Sequence, residues 1–240
     1  MLELKNVSKS YRGFKAVDNV SFAIDGGQTL GVVGANGAGK TTLTSMIATL
    51  TKPDSGEILL EGVDLVHDPG SVRPLIGYVP QDIALYETLS GLDNLKFWGR
   101  INGVPKALLK ERIEQVCRII RFDDGLLKKR VSEYSGGMKR RLNIGVALLH
   151  SPRLVIMDEP TTGIDMQSAD QILEAIEELR RSGIAVIYIG HYMEEIERIA
   201  THLCVMNAGK VAYFGEKDRI LNGKTLAGLL GGTATVQEEL

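Results

Sequence analysis

Between Gly34 and Thr42 the chain reads GANGAGKTT, and its Gly34, Gly39, Lys40 and Thr41 match the phosphate-binding spacing G-x-x-x-x-G-K-[ST]. Glycine lets successive backbone N–H groups close around phosphate oxygens, so Gly34, Asn36, Gly37, Ala38, Gly39 and the first helical residues to Thr42 are expected to bind from the main chain. Lys40 adds a full positive charge, and Thr41 can place its hydroxyl on a magnesium ion that bridges the phosphates. A second stretch, LVIMDEP from Leu154 to Pro160, is an apolar run that ends in two adjacent carboxylates. Asp158 is suited to hold the magnesium, directly or through water, and Glu159 to polarise a water attacking the terminal phosphate. A third stretch, EYSGGMKRR, strips the side chains from a helix start at Ser135, Gly136 and Gly137 and so offers a second anion site. The basic run after it, Lys139, Arg140 and Arg141, reads as the solvated face of a surface helix.

These residues need a scaffold that brings distant segments together. LELKNV and VSFAID read as short strands, and a Gly26-Gly27 turn leads into the strand QTLGVVG, the phosphate loop and a helix over 40–50. SGEILLEG is a further strand. From Leu85 to His150 the pattern turns helical: Leu108, Leu109, Ile113, Val116, Cys117 and Ile120 recur at three- and four-residue spacing, with Pro105 placed for a first turn. Strand-then-helix alternation resumes at Leu154. Asp165 is expected to cap a helix that buries Ile172, Leu173, Ile176 and Leu179; IAVIYIG is a buried strand, and the segment from His202 onward is a hairpin through Ala208-Gly209. The expectation is an α/β core, about 1–84 and 151–220, with a helical insertion over about 85–150 and a tail over about 221–240 whose last residues, GGTATVQEEL, are loosely ordered.

Composition narrows the classes. A length of 240 residues suits one large domain, and a formal net charge of -2 gives no global field for nucleic acid. Cys117 and Cys204 lie far apart without metal-ligand spacing, which favours a reduced compartment over a disulfide framework. The N-terminus lacks the apolar stretch of a secretory signal, and no window approaches a bilayer-spanning length.

Taken in order, the motifs resemble those of the ATP-binding cassette (ABC) nucleotide-binding domain from end to end. SGGMKRR resembles that family's signature, usually Leu-Ser-Gly-Gly-Gln; Tyr11 matches the aromatic that stacks on adenine, Gln81 the glutamine that contacts the γ-phosphate or its magnesium, Asp165 the aspartate of the loop after Glu159, and His191 the histidine that contacts the γ-phosphate or the attacking water. Tyr134 and Met138 depart from the usual signature, and Gly163-Ile164 from the usual Ser-Ala, but no donor of the Ser-Gly-Gly core and neither carboxylate is lost.

The resemblance implies a P-loop NTPase core with an N-terminal antiparallel β subdomain and an inserted α-helical subdomain. It also implies ATP with Mg2+, hydrolysis with Glu159 as general base, and a head-to-tail pair of nucleotide-binding subunits in which Ser135 to Gly137 of one copy act on ATP held by Lys40 of the other. The form YSGGM, with YETLSGLDNLKFWGRINGV before it, looks like the export branch that handles drugs, lipids or polysaccharides. The expected assembly therefore includes integral membrane subunits, with the chain peripheral on the cytoplasmic face of the membrane and no nucleic acid bound. The alternatives weighed are a soluble ABC ATPase working on nucleic acid or ribosomes, usually marked by tandem cassettes or basic linkers, and a regulatory nucleotide-binding module without turnover. Within residues 82–100, Ile83, Leu85, Tyr86, Leu89, Leu92, Leu95, Phe97 and Trp98 are dense enough to suggest an exposed apolar groove for a membrane subunit's short helix, Tyr86 foremost.

Overall fold

The alternation in LELK becomes the start of strand β1 (Leu2–Tyr11), with Leu2 and Leu4 buried and Glu3 and Lys5 exposed. The structure, a computed structural model, describes residues 1–228. β1 pairs antiparallel with β2 (Phe14–Ile24) on one side and β4 (Ser55–Leu60) on the other, Leu2 facing both Ile24 and Leu60. With β5 (Val63–Asp64) this makes a four-stranded sheet in the order β2-β1-β4-β5.

The second sheet has six strands: β3 (Thr29–Val33), β6 (Ile76–Val79), β7 (Leu154–Asp158), β8 (Ala185–Ile189), β9 (His202–Asn207) and β10 (Lys210–Glu216), in the order β10-β9-β3-β8-β7-β6. β9, β3, β8, β7 and β6 run parallel, and β10 closes the edge antiparallel. Every residue of β3, β7 and β8 is buried, as expected of parallel strands covered on both faces. Helices α1 (Lys40–Ile47), α2 (Pro69–Val72), α3 (Gly91–Ile101), α4 (Leu109–Ile119), α5 (Asp124–Leu127), α6 (Gly136–Leu148), α7 (Met166–Arg181), α8 (Met193–Ile199) and α9 (Lys217–Leu221), with short 3-10 turns at Arg73–Leu75 and Val131–Glu133, complete the described elements. Among these, α3 to α6 all fall between β6 and β7, the helical insertion into an α/β core.

Alternate residues of β7 divide the interior. Leu154 and Ile156 join α1 and the four-stranded sheet in one apolar cluster, whereas Val155 and Met157 join α6, α7 and the insertion in another. Leu95, Ile113, Val116 and Ile120 thus share a core with Met157 and Tyr188, so the insertion's apolar residues do not close a separate small core of their own. Pro105 also differs from expectation. It precedes α4 in a turn whose Leu108 and Leu109 amides donate to its carbonyl, and Leu108 itself is the helix cap, half exposed. The last ten residues, expected to be loosely ordered, lie outside the described residues. Among the described residues, no helix is long and apolar enough to cross a membrane.

Candidate functional site

The phosphate loop spans the gap from Val33, the end of β3, to Lys40, the start of α1. Two of its glycines are demanded by geometry. Gly34 (φ 152°) and Gly39 (φ 100°) hold left-handed backbone, and a Cβ would lie 2.2 Å from Met206 O at the first and 2.1 Å from Ala16 O at the second. The contact with Ala16, together with Gly209 N donating to Ala38 O at 3.1 Å, sets the loop against both the β1–β2 hairpin and the β9–β10 turn. Gly39 offers α1 no side-chain cap, and the first turn holds no acidic residue, so its N–H groups remain open to an anion.

Lys40 is buried and folds over its own loop, Nζ donating to Gly34 O at 2.8 Å and Ala35 O at 3.1 Å. Burial pushes its pKa down, opposed by the charges of Glu159 and Asp158. Asp158, at the end of β7, is buried too. There burial first, and the neighbouring Glu159 charge second, raise its pKa above the ordinary aspartate value, with Lys40 and His191 opposing. A buried ammonium beside open helix amides suits a phosphate, and a buried carboxyl suits a metal cation. Thr41, Asp158 and Gln81, the residues expected to hold magnesium, each carry an oxygen donor of the kind Mg2+ takes, and Asp158 is buried at the end of β7.

Glu159 follows with φ 50°, a left-handed conformation uncommon outside glycine and concentrated at functional sites. Its amide donates to Ile189 O at 2.9 Å, which fastens the turn to β8. One carboxylate oxygen lies 2.6 Å from His191 Nε2, and the other accepts from Gln81 Nε2 at 2.9 Å and from Thr162 Oγ1 at 3.4 Å. Against a carboxylate, the imidazole nitrogen and the amide NH2 must be the donors. The three residues expected to act on water and the terminal phosphate, Glu159, Gln81 and His191, are therefore in direct contact.

The remaining expected residues lie around this centre or away from it. Tyr11 ends β1 opposite Phe14, about half exposed, with Lys9 Nζ 5.6 Å from its ring centroid. Ser135 caps α6, its Oγ accepting from Met138 N, and both Ser135 and Gly136 are exposed. Gly137 is buried, since a Cβ there would lie 2.0 Å from Ser168 Oγ. Asp165 caps α7 through Ser168 N at 2.9 Å, as expected, and Ser168 Oγ bonds it as well. α6 packs chiefly against α3, α4, α7 and β6, and among the described residues no hydrogen bond joins Ser135–Gly137 to the phosphate loop.

Two departures from the usual signature have packing explanations. Tyr134 is buried with its hydroxyl donating to Leu126 O at 2.6 Å and its ring 5.6 Å from that of Phe122. Met138 packs its side chain on the core shared with the insertion. The basic run is a correction: Arg140 and Arg141 are only 6% and 8% exposed, not solvated. Arg140 donates to Pro80 O and Gln81 O. Arg141 donates to Ile120 O and Arg121 O at the end of α4, with Phe122 5.2 Å beneath its guanidinium. Lys139 pairs with Glu87.

A further network went unforeseen. Thr161 Oγ1 and Tyr188 OH donate to Glu195 Oε2 at 2.7 and 2.6 Å, tying the turn after Glu159 to β8 and to the first turn of α8, close to His191. Only the adjacency of Thr161 to the carboxylate pair, and of Glu195 to His191, hinted at it in the sequence.

The ABC transporter family profile matches residues 17–162. Over 237 residues the chain is 40% identical to the linearmycin resistance ATP-binding protein LnrL of Bacillus subtilis, covering 99% of this chain and 74% of that one. It is 37% identical to the Nod factor export ATP-binding protein I of Cupriavidus metallidurans, over 93% of this chain and 74% of the relative. A solved structure of the ATP-binding subunit of an ABC transporter superposes with a TM-score of 0.87 at 28% identity, covering 98% of this chain and 99% of that one. The chain belongs to the ABC transporter family and is an ATP-binding, ATP-hydrolysing subunit of it.

Proposed function

We propose that this chain drives export through separate membrane subunits, binding MgATP at a site that two copies complete head to tail. The observation that carries the reading is Glu159, held between His191 and Gln81 next to a buried Asp158 and a buried Lys40. Lys40 and the open amides of α1 hold the β- and γ-phosphates, Tyr11 stacks on adenine, and the exposed edge of Ser135 and Gly136 meets the γ-phosphate of the partner's ATP. Thr41, Asp158 and Gln81 would hold the magnesium, which neutralises phosphate charge. Glu159 orients the attacking water and draws its proton; His191, its hydrogen bond partner, holds the carboxylate and reaches the γ-phosphate.

The export direction rests on the relatives named for linearmycin resistance and Nod factor export. The proposed docking surface is the groove between core and insertion, a cavity of about 470 Å³ whose lining includes Leu50, Tyr78, Trp98 and Asn102. Tyr86 and Phe97 stand exposed beside Trp98, the rings of Tyr86 and Phe97 5.0 Å apart and those of Phe97 and Trp98 5.4 Å apart, and Leu89 is exposed as well. Leu95, by contrast, is fully buried and belongs to the core. In this assembly the chain lies on the cytoplasmic face of the membrane. The decisive experiment expresses the chain with a multi-span membrane protein encoded alongside it. Phosphate release by the pair, copurification in detergent, and loss of copurification but not of folding in Tyr86→Glu are expected. Copurification with RNA in place of the membrane protein, or no phosphate release, would overturn the reading.

A further inference from the structure

Strand β8 buries a tyrosine completely. Its alternate residues divide as those of β7 do: Ile187 and Ile189 belong to the apolar cluster of the four-stranded sheet, Val186 and Tyr188 to that of α7 and the insertion. A tyrosine buried in this way needs a partner for its hydroxyl. Tyr188 OH donates to Glu195 Oε2 at 2.6 Å, Thr161 Oγ1 donates to the same oxygen at 2.7 Å, and the two hydroxyl oxygens lie 3.0 Å apart. Burial first, and the Glu195 bond second, raise the Tyr188 pKa above the ordinary tyrosine value, so the hydroxyl remains a donor.

These residues bracket the Glu159–His191 contact along the chain. Thr161 lies two residues after Glu159, and Glu195 four residues after His191. Gly190, immediately before His191, rests on the tyrosine itself: a Cβ there would lie 2.6 Å from Tyr188 Cε1. Glu159 N donates to Ile189 O, so the turn after β7 is tied to β8 through main chain at Glu159 and through a side chain at Thr161. On the other side, Tyr192 gives α8 no side-chain cap, and the first-turn residue Glu195 ties the helix start to Tyr188 and Thr161. His191 stands between two fixed points, Gly190 and Glu195.

We infer that Tyr188 is a positioning residue for hydrolysis, its ring seating Gly190 and its hydroxyl joining Thr161 to Glu195, so that Glu159 and His191 are held in contact. The inference rests on the reading of Glu159 as general base with His191 as its partner. Tyr188 acts through that pair. Without its hydroxyl, the turn after Glu159 and the first turn of α8 lose a shared anchor, and the 2.6 Å contact between His191 and Glu159 loosens. A misplacement of about 1 Å in a catalytic constellation can cost about 10²-fold in rate. Among the described residues no side-chain hydrogen bond joins Tyr188, Thr161 or Glu195 to the phosphate loop, so the effect falls on turnover and not on ATP affinity.

The test measures phosphate release and equilibrium ATP binding by the whole chain, well below its melting temperature. Tyr188→Phe keeps the ring against Gly190 and removes only the hydroxyl; kcat is expected to fall about tenfold or more, with KM and ATP affinity unchanged. In a His191→Ala background the same substitution should change kcat little, since the contact it positions is gone, whereas a purely structural loss would add in full. Glu195→Gln keeps an oxygen that can accept from both hydroxyls, and it should retain most of the turnover that Glu195→Ala loses. Should Tyr188→Phe misfold, Thr161→Val, which removes the other hydroxyl, carries the same measurements. Wild-type kcat in Tyr188→Phe, full additivity with His191→Ala, or a loss of ATP affinity equal to the loss of kcat would each overturn the inference. Wild-type turnover in both His191→Ala and Glu159→Gln removes the general-base reading itself, and the inference with it.

Discussion

His191 Nε2 donates to Glu159 Oε1 across 2.6 Å, linking the loop after β8 to the residue that ends the β7 carboxylate pair. With Gln81 Nε2 on the second oxygen, both edges of the carboxylate are engaged by side chains. A carboxylate oriented on two sides has little freedom left to lose on reaching the transition state, as suits the proposed general base. Glu159→Gln keeps the shape but not the proton acceptor. We expect phosphate release to fall by about 10²–10⁴-fold with ATP affinity retained, read by single-turnover release and equilibrium binding. Wild-type turnover in this variant would remove the general-base role.

Ser135→Arg places a long cation where the partner's γ-phosphate is expected to sit. Phosphate release should be lost while ATP binding by the isolated chain persists. The variant also removes the cap that accepts from Met138 N, which costs about 1 kcal/mol of helix stability. Ser135→Thr keeps a capping hydroxyl and controls for that loss. Mixing Ser135→Arg with Lys40→Ala chains should yield dimers with one site doubly damaged and one intact, recovering activity that neither variant shows alone.

Asp158 is a burden on the free chain, because burial and the adjacent Glu159 charge both disfavour its ionised form. Asp158→Asn should therefore raise the melting temperature of the nucleotide-free protein, by roughly 2–4 °C per kcal/mol gained at this chain length. The same change removes a proposed magnesium ligand, so the extra stabilisation by MgATP over ATP alone should vanish along with turnover. A melting temperature that falls instead would show that the attraction to Lys40 outweighs the cost of burial.

His150 donates from Nε2 to Ile76 O at 3.0 Å, leaving Nδ1 buried and unpartnered on the wall of the proposed docking groove. Burial lowers its pKa from the ordinary 6.5, the Ile76 bond opposes that shift, and the charge of Arg112 adds to it. A depressed imidazole pKa stabilises the fold above the unfolded value and loses that contribution as pH falls through the folded one. The melting temperature of the wild type should thus drop more steeply between about pH 7 and pH 5 than that of His150→Gln. Parallel pH profiles for the two proteins would refute the assignment.

The parts of this molecule that were legible in the sequence are those whose chemistry is written in consecutive residues. Gly34 to Thr42 is a backbone conformation spelled by glycines, and Asp158-Glu159 is a strand end marked by an apolar run. Asp165 reads as a cap because its acceptor and the amide it serves are three residues apart. The burial of Arg140 and Arg141 is not legible in the sequence because their partners are carbonyls of Pro80, Gln81, Ile120 and Arg121, and a carbonyl carries no residue identity. Three adjacent cations look like solvent-facing charge until the acceptors are placed in space. Leu108 and Pro105 fit a helical spacing that began later than the pattern suggested. The Thr161–Tyr188–Glu195 network was hidden for the converse reason: a tyrosine in a buried strand reads as core, and only its hydroxyl shows otherwise.

The division of β7 between two apolar clusters has a bearing on quality control in the cell. Leu154 and Ile156 face one way, Val155 and Met157 the other, and Asp158 and Glu159 are the next two residues of the same ribbon. A strand that pairs one residue out of step would turn each of these side chains over and carry both carboxylates away from Lys40, Gln81 and His191 in the same motion. Correct assembly of the interior and competence for hydrolysis are therefore one event, and a chain that has threaded its central sheet wrongly has no means of consuming ATP in vain.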